Sequence, residues 1–245
     1  MNPFEWTRQW AVDKQISMWW SPETDSTNRV ARDDISQISL GIQPSSLYIA
    51  NQQTAGRGRS ANSWLSHQDA ALLSSWSFPL HIPPQPILAP LVGLALFEAV
   101  SEVWPQLQFS LKAPNDLFLS GKKVAGILIE VVSAGANIQC IVGLGLNVLK
   151  VPQALSSIAT CIADHLSVPL NDTEWETEWR RFLDSWFHHL GIALRDGQLA
   201  TLSSEARARL RTALNLHIHL AEPILEIDNL GQLHFATHIL RWQDL

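Results

Sequence analysis

Apolar residues follow two rhythms along this chain. In the middle they run almost unbroken: Val124-Ala125-Gly126-Ile127-Leu128-Ile129-Glu130-Val131-Val132, then, past a turn at Ser133 to Asn137, Ile138-Gln139-Cys140-Ile141-Val142-Gly143-Leu144-Gly145-Leu146-Asn147. Runs of this length bounded by turn residues predict strands joined by a hairpin. Their apolar character on both faces predicts a sheet covered by helices on at least one side. A strand from Gln108 runs into a turn by Asp116, and Gly121-Lys122-Lys123 is a tight hairpin turn. Further strands are expected at Ile16 to Trp20, broken by Ser21-Pro22-Glu23-Thr24, at Ser46 to Ala50 and at Ala70 to Phe78, before a rigid connection through the prolines at 79, 83, 84 and 86.

Elsewhere the period lengthens to that of a helix. Residues 1–15 read as a polar lead-in or a short helix, Ile87 to Trp104 as a helix ended by Pro105, and residues 156–166 as another. Asn171-Asp172-Thr173 caps a longer helix in which Trp175, Trp179, Phe182, Leu183, Trp186, Phe187 and Leu190 recur every three or four residues on one face. Such a stripe is a core face. A break at Gly191 to Gly197 precedes a helix around Leu199 to Thr212. From Leu216 the pattern changes to short strands, His217 to Leu220, Ile224 to Ile227 and Leu233 to Leu240, with a turn at Asp228 to Gly231. The expected architecture is α+β. A mainly antiparallel central sheet, made by hairpins without crossover helices, carries helices on one side over residues 1–213, and a small β-barrel-like unit follows over residues 214–245.

Composition narrows the function classes. The 245 residues suit one large domain, or one with a small appendix, and 46% hydrophobic against 16% charged residues provides a substantial core. The net charge of −6 disfavours a protein built on nonspecific nucleic-acid contacts. Cys140 and Cys161 have no metal-ligand spacing and fit a reducing compartment. No secretory signal opens the chain, and the longest apolar stretch is interrupted by Pro90, Glu98, Ser101 and Glu102, so a cytoplasmic protein is expected. His217 with His219 and His234 with His238 read as solvent-facing strand residues in preference to a metal site.

Four stretches carry candidate chemistry. Gln53-Thr54-Ala55-Gly56-Arg57-Gly58-Arg59, followed by Trp64, alternates glycines with arginines. Glycines expose backbone N–H groups to an anion, and arginine adds a permanently charged fork. The loop closes over an anionic ligand, or it is a solvated turn with two surface arginines. Asp25-Ser26-Thr27-Asn28 is a helix cap whose hydroxyls and amide are also placed to bond a small polar ligand. Lys112-Ala113-Pro114-Asn115-Asp116 is a turn bearing a lysine, and Gly143-Leu144-Gly145-Leu146-Asn147 is a strand with two bare positions.

In this order, with Lys122 to Glu130 between the last two, the four stretches resemble the biotin–protein ligases, which attach biotin to the carrier domain of biotin-dependent carboxylases. The resemblance runs from residue 19 to 150 and more loosely through the C-terminal strands. It implies a class II synthetase-like catalytic fold with an SH3-like C-terminal barrel. It also implies a reaction in which biotin and ATP, with magnesium, give biotinyl-AMP that is passed to a lysine of a biotin carboxyl carrier domain. It assigns catalysis to Lys112, Arg57 and Arg59. Biotin falls to Ser26, Thr27, Asn28, Gln53, Gly56, Arg57, Lys112, Gly126 and Gly143, and the nucleotide to Arg57, Gly58, Arg59, Trp64, Lys112, Asn115 and Asn147, with Trp64 as a lid. Asp116 is the candidate magnesium ligand. The chain reads as a short form without the DNA-binding domain of some members, with carrier docking or homodimerisation through a sheet edge. Two positions depart from the family pattern: Ala113 stands where a tryptophan is usual, and Ser60-Ala61-Asn62-Ser63 where the loop is commonly Arg/Gly-rich, which predicts weaker retention of the adenylate. A lipoate ligase or octanoyltransferase shares the fold, but its Arg-Arg-x-Ser-Gly-Gly type motif is missing here. A non-catalytic biotin sensor is the other alternative.

Overall fold

The two longest apolar runs form the middle of a seven-stranded sheet. The computed structural model describes residues 1–37, 45–59, 62–134 and 137–242. Within these, β1 (Ser17–Thr24), β2 (Ser46–Gln53), β3 (Ala71–Leu80), β4 (Phe109–Lys112), β5 (Asp116–Leu119), β6 (Lys122–Ala134) and β7 (Asn137–Asn147) lie in the order β1-β2-β3-β7-β6-β5-β4. Every neighbouring pair is antiparallel except β1 and β2. Those two run parallel because helix α2 (Thr27–Gln37) carries the chain back between them. The sheet is therefore mixed, and the expectation of hairpins without a crossover fails twice, here and where a helix over Leu88–Val103 carries the chain from β3 past β7, β6 and β5 to β4.

Alternation sorts the two faces. Cys140, Val142, Leu144 and Leu146 of β7, with Leu72 and Trp76 of β3, join the main core against α1 (Pro3–Asp13), α3 (Leu88–Val103) and α4 (Asp172–Asp196). Ile141 and Tyr48 point the other way, against Ala31 and Ile35 of α2. Helices thus lie on both faces, not one, and α2 alone leaves part of the second face bare. In the main core Trp6 stacks on Trp175 with ring centroids 6.0 Å apart, and the Trp179 indole N–H donates to Thr7 Oγ1 at 2.9 Å.

Several boundaries differ from the sequence expectation, each for a physical reason. β1 continues through Ser21, Glu23 and Thr24, which pair with β2, because an edge strand tolerates Pro22. Pro79 likewise stays in β3, opposite Gln139. Residues 156–166 are not a helix. Two short 3-10 turns (Gln153–Leu155 and Ala163–His165) flank a segment whose backbone bonds to Lys123 instead. Helix α4 does not break at Gly191, whose α-carbon faces open space, but runs on to Asp196. Phe187 is 39% exposed, so not every aromatic of that helix is buried. Helix α5 (Ser204–Asn215) starts five residues later than expected, at the Ser203 cap. Residues His217 to Leu220 form a turn, and the C-terminal strands are β8 (Glu226–Ile227), β9 (Leu233–His234) and β10 (Ile239–Leu240). Ile227, Leu233 and Trp242 pack into the main core, which supports a sheet too small to stand alone. Ser60 and Ala61, in the expected non-basic loop, and residues 135 and 136, in the expected turn, lie outside the described residues. Among the described residues no helix is long and apolar enough to cross a membrane.

Candidate active site

On the α2 face of the sheet, directly opposed residues stand in one cross-strand row: Lys112, Asp116, Gly126, Gly145 and Leu73. The two glycines pair with each other across β6 and β7. A cavity of about 310 Å³ opens over this bare patch. Its walls are the start of α2, the hairpin-like loop from Gln53 to Trp64, and the β4–β5 turn.

The α2 wall is held by a polar network. Thr27 donates its backbone N–H to Gln53 Oε1 at 2.8 Å, so a side chain 26 residues away caps the helix. Ser26, Thr27 and Asn28 are all buried. Asn28 Nδ2 donates to Glu130 Oε2 at 2.8 Å, and its oxygen lies where a Cβ on Gly143 would come within 2.2 Å. The glycine at 143 is therefore required by the amide above it.

The loop is a small hairpin. Trp64 N–H donates to the Gly56 carbonyl at 2.9 Å and Gly58 N–H to that of Asn62 at 2.7 Å. Arg57 and Arg59 point from it along the cavity, Arg57 to within 3.5 Å of Glu130 and Arg59 to within 3.4 Å of Asn115 Oδ1. Trp64 folds back onto the glycine patch, and its ring lies 5.8 Å from the Lys123 ammonium.

Lys123 is the residue that sequence reasoning missed. It sits an odd number of residues before Gly126, so strict alternation would turn it to the opposite face. A register shift between Leu117 and Phe118 inserts an extra residue in β6. Val124 and Ala125 both enter the core, and Lys123 swings to the cavity side opposite Phe118. Bulges re-aim side chains in this way beside functional sites. The Lys123 backbone is fixed by bonds to Ile158 O and Thr160 N, and its ammonium pairs with Asp116 at 2.7 Å. The one available signal was the double lysine of the Gly121-Lys122-Lys123 turn.

The other expected site residues divide. Ser26, Thr27, Asn28, Gln53, Arg57, Gly58, Arg59, Trp64, Lys112, Asn115, Asp116, Gly126 and Gly143 all line the cavity. Gly56 is packed behind it, where a Cβ would come within 2.5 Å of Trp64 O. Asn147 is buried facing the 160 region, its Nδ2 donating to Thr160 O at 3.2 Å, and is not brought to the cavity. Lys112 is exposed at the rim, and its ammonium, 5.7 Å from the Phe118 ring, makes no hydrogen bond or ion pair among the described residues. Asp116 is the single carboxylate among the described lining residues, against the cations Arg57, Arg59, Lys112 and Lys123. With Lys123 already on it, Asp116 does not make a protein-built magnesium site, and no group of three or more His, Cys, Asp or Glu able to hold a metal occurs among the described residues.

Groups away from the cavity take structural roles. Burial pushes the Cys140 and Cys161 thiols up to about 12, so both stay protonated. His217 is buried beside Phe118 and Ser110, and desolvation holds it below its ordinary value; it is not solvent-facing. His234 pairs with Asp228 and His238 with Glu222.

The model of the biotin/lipoate A/B protein ligase family matches residues 20–147, just over half of the chain and the whole span that builds the cavity. The chain is 34% identical over 137 residues to biotin–protein ligase 1, chloroplastic, of Arabidopsis thaliana, covering 53% of this chain and 35% of that protein. It is 33% identical over 139 residues to the biotin–[acetyl-CoA-carboxylase] ligase of Paracoccus denitrificans, covering 54% of each. The match thus spans only about a third to a half of these relatives' own length. A solved biotin protein ligase from Aquifex aeolicus, in complex with biotin and ATP, superposes with a TM-score of 0.66 over 91% of this chain and 94% of that one at 23% identity, which shows a common fold. This chain belongs to the biotin/lipoate A/B protein ligase family.

Proposed function

We propose that the chain is an ATP-dependent biotin–protein ligase. The carboxylate of biotin attacks the α-phosphate of ATP and releases pyrophosphate; a lysine amine of a biotin carboxyl carrier domain then attacks the mixed anhydride and releases AMP. The observation that carries this reading is the cavity's charge: four cations and one carboxylate around a floor of bare backbone. Bringing two anions together needs positioning and charge neutralisation above all else.

In this reading the central cation is Lys123, and Lys112 has a lesser part. Lys123 stands over the glycine patch, held by a bulge, a backbone clamp and Asp116, and it is the group suited to neutralise the joined carboxylate and phosphate. Arg57 and Arg59 hold the phosphates, and Lys112 at the rim meets the outer ones. Trp64 closes over the bound acid and keeps water from the anhydride. Magnesium belongs to the nucleotide in this reading, since the residues present do not form a site for it. Thr27 and Gln53 bond the cyclic urea of biotin, which the dithiolane of lipoate cannot satisfy. We read the C-terminal three-stranded sheet as the family's SH3-like appendix, and the open edge of β1 as the place where a carrier domain or a second copy docks.

Pyrophosphate release with ATP and magnesium, measured with biotin and with lipoate, tests the reading. Biotin-dependent release followed by labelling of a carrier lysine is expected. Release with lipoate alone would make this a lipoate ligase, and binding of biotin without release would make it a sensor.

A further inference from the structure

Glu130 lies at the back of the site, does not line the cavity, and is tied to two residues that do, Asn28 and Arg57, and to Arg32 beside them. Its Oε2 accepts from Asn28 Nδ2 at 2.8 Å, and its Oε1 pairs with Arg32 of α2 and with Arg57 of the loop, the latter at 3.5 Å. The carboxylate side chain is 18% exposed, while that of Arg57 is 48% exposed. One mostly enclosed anion therefore holds two guanidinium groups and an amide in place.

The consequence reaches further than Arg57. An ionised carboxylate only accepts hydrogen bonds, so, together with the longer bond from Nδ2 to the Leu128 carbonyl at 3.3 Å, it fixes which end of the Asn28 amide faces it. With Nδ2 committed to Glu130, Oδ1 faces Ser75, whose hydroxyl donates to it at 2.5 Å. Ser75 is fully buried between β2 and β7 and opposes Gly143. A serine has one proton, so once that proton is on Asn28, the one proton of the Thr27 hydroxyl is spent on an acceptor within the wall, either the Ser75 oxygen at 2.8 Å or Gln53 Oε1 at 3.1 Å. Thr27 then presents lone pairs to the cavity. Gln53 Oε1 is meanwhile taken by the Thr27 backbone N–H, which leaves its Nε2 as a donor. The wall offers an acceptor beside a donor, the complement of a urea's N–H and C=O.

We infer that Glu130 is a positioning residue for the acid substrate: through Asn28 and Ser75 it sets the hydrogen-bond polarity of the Thr27–Gln53 wall, and as counter-ion it holds Arg57 at the cavity. This rests on the reading of the cavity as a biotin site. It assigns selectivity to residues that need not touch the ligand. Glu130→Gln keeps the shape but carries no charge, and its amide can face Asn28 either way round. Glu130→Asp keeps the charge and the acceptor-only chemistry. Ser75→Ala breaks the relay while leaving the Arg57 pair intact.

The test is calorimetric binding of biotin and, separately, of ATP to the full chain and these three variants, with melting temperatures alongside. Glu130→Gln should weaken biotin by about tenfold or more, the scale for a site whose buried polar groups lose their partners, and ATP by clearly less, because Arg59 and Lys112 also meet its phosphates. Glu130→Asp should recover part of the loss, and Ser75→Ala should fall between Glu130→Gln and the unaltered chain. Unchanged biotin affinity in Glu130→Gln would overturn the proposal. So would equal losses for biotin and ATP with a lowered melting temperature, since Glu130 would then be a structural residue only. If the unaltered chain binds ATP and not biotin, the reading of the cavity fails, and the proposal with it.

Discussion

The indole of Trp64 lies on the backbone of Gly145, so close that a Cβ there would stand 2.4 Å from Cε2 of the ring. Gly126, paired with Gly145 across the sheet, makes the same allowance at 3.1 Å. The bare floor is thus matched to a flat group, and in this structure Trp64 is that group. In the proposed reaction the acid and the nucleotide would have to share or displace it, which would couple a Trp64 lid to the floor.

Gly145→Ala should consequently push the indole off the floor. We expect a destabilisation of about 1–3 kcal/mol from overpacking and a loss of catalytic efficiency of at least about tenfold from misplaced walls. The same change at Gly191, whose α-carbon meets nothing within 4 Å in the middle of α4, should stabilise the protein by about 0.5–1 kcal/mol. Denaturant unfolding of the two variants beside the unaltered chain checks the pair. Equal effects would mean that Trp64 does not rest where the structure has it.

Thr27→Val removes the hydroxyl that faces both Ser75 and the cavity. Leaving a urea N–H without its acceptor should cost about 1–3 kcal/mol, so biotin binding should weaken by about 10- to 100-fold. Lipoate binding should not weaken. Competition between the two acids for the same cavity gives the ratio directly.

Trp179→Ala tests the core. The ring is fully buried beside Trp6 and Phe182 and donates to Thr7 Oγ1, joining α4 to α1. A loss of about 3–5 kcal/mol is expected from the cavity left behind, read as a lower denaturation midpoint.

His189 makes stability depend on pH. The Glu98 carboxylate 3.1 Å from Nδ1, opposed by burial and helped by Glu102, holds it above the ordinary histidine value and joins α4 to α3. Arg209 of α5 pairs with the same Glu98, and Ser185 donates to Glu102. A raised folded-state value means that the contribution is fully present below the unfolded histidine value and is lost as pH rises through the folded one. Unfolding free energy should therefore fall across that window, and His189→Asn should flatten the profile.

The sheet was legible because β6 and β7 are long apolar runs with a turn between them, and α4 because its cap and its tryptophan stripe repeat at helical spacing. Two kinds of feature were not. The first is parity: nothing in Lys122-Lys123-Val124-Ala125-Gly126 says that β6 gains a residue, so the face that Lys123 takes could not be read, and Lys112 drew the role instead. The second is context. Residues 156–166 have helix-like apolar intervals, yet their backbone bonds to Lys123 across the chain, and Gly191 continues a helix whose other side is well packed. Asn147 has a side chain able to read a base, but that side chain is buried with its amide on the Thr160 carbonyl and does not line the cavity.

The central claim is that the cavity joins biotin to a nucleotide around Lys123. Biotin-dependent pyrophosphate release with ATP and magnesium, measured for the unaltered chain, Lys123→Ala and Lys112→Ala, tests it most directly. The account predicts release by the unaltered chain, a loss of about 10²- to 10³-fold in Lys123→Ala, the scale for removing one charge-stabilising donor, and a smaller loss in Lys112→Ala. Full activity in Lys123→Ala with the loss falling on Lys112→Ala would contradict it, and would return the central role to the lysine at the rim.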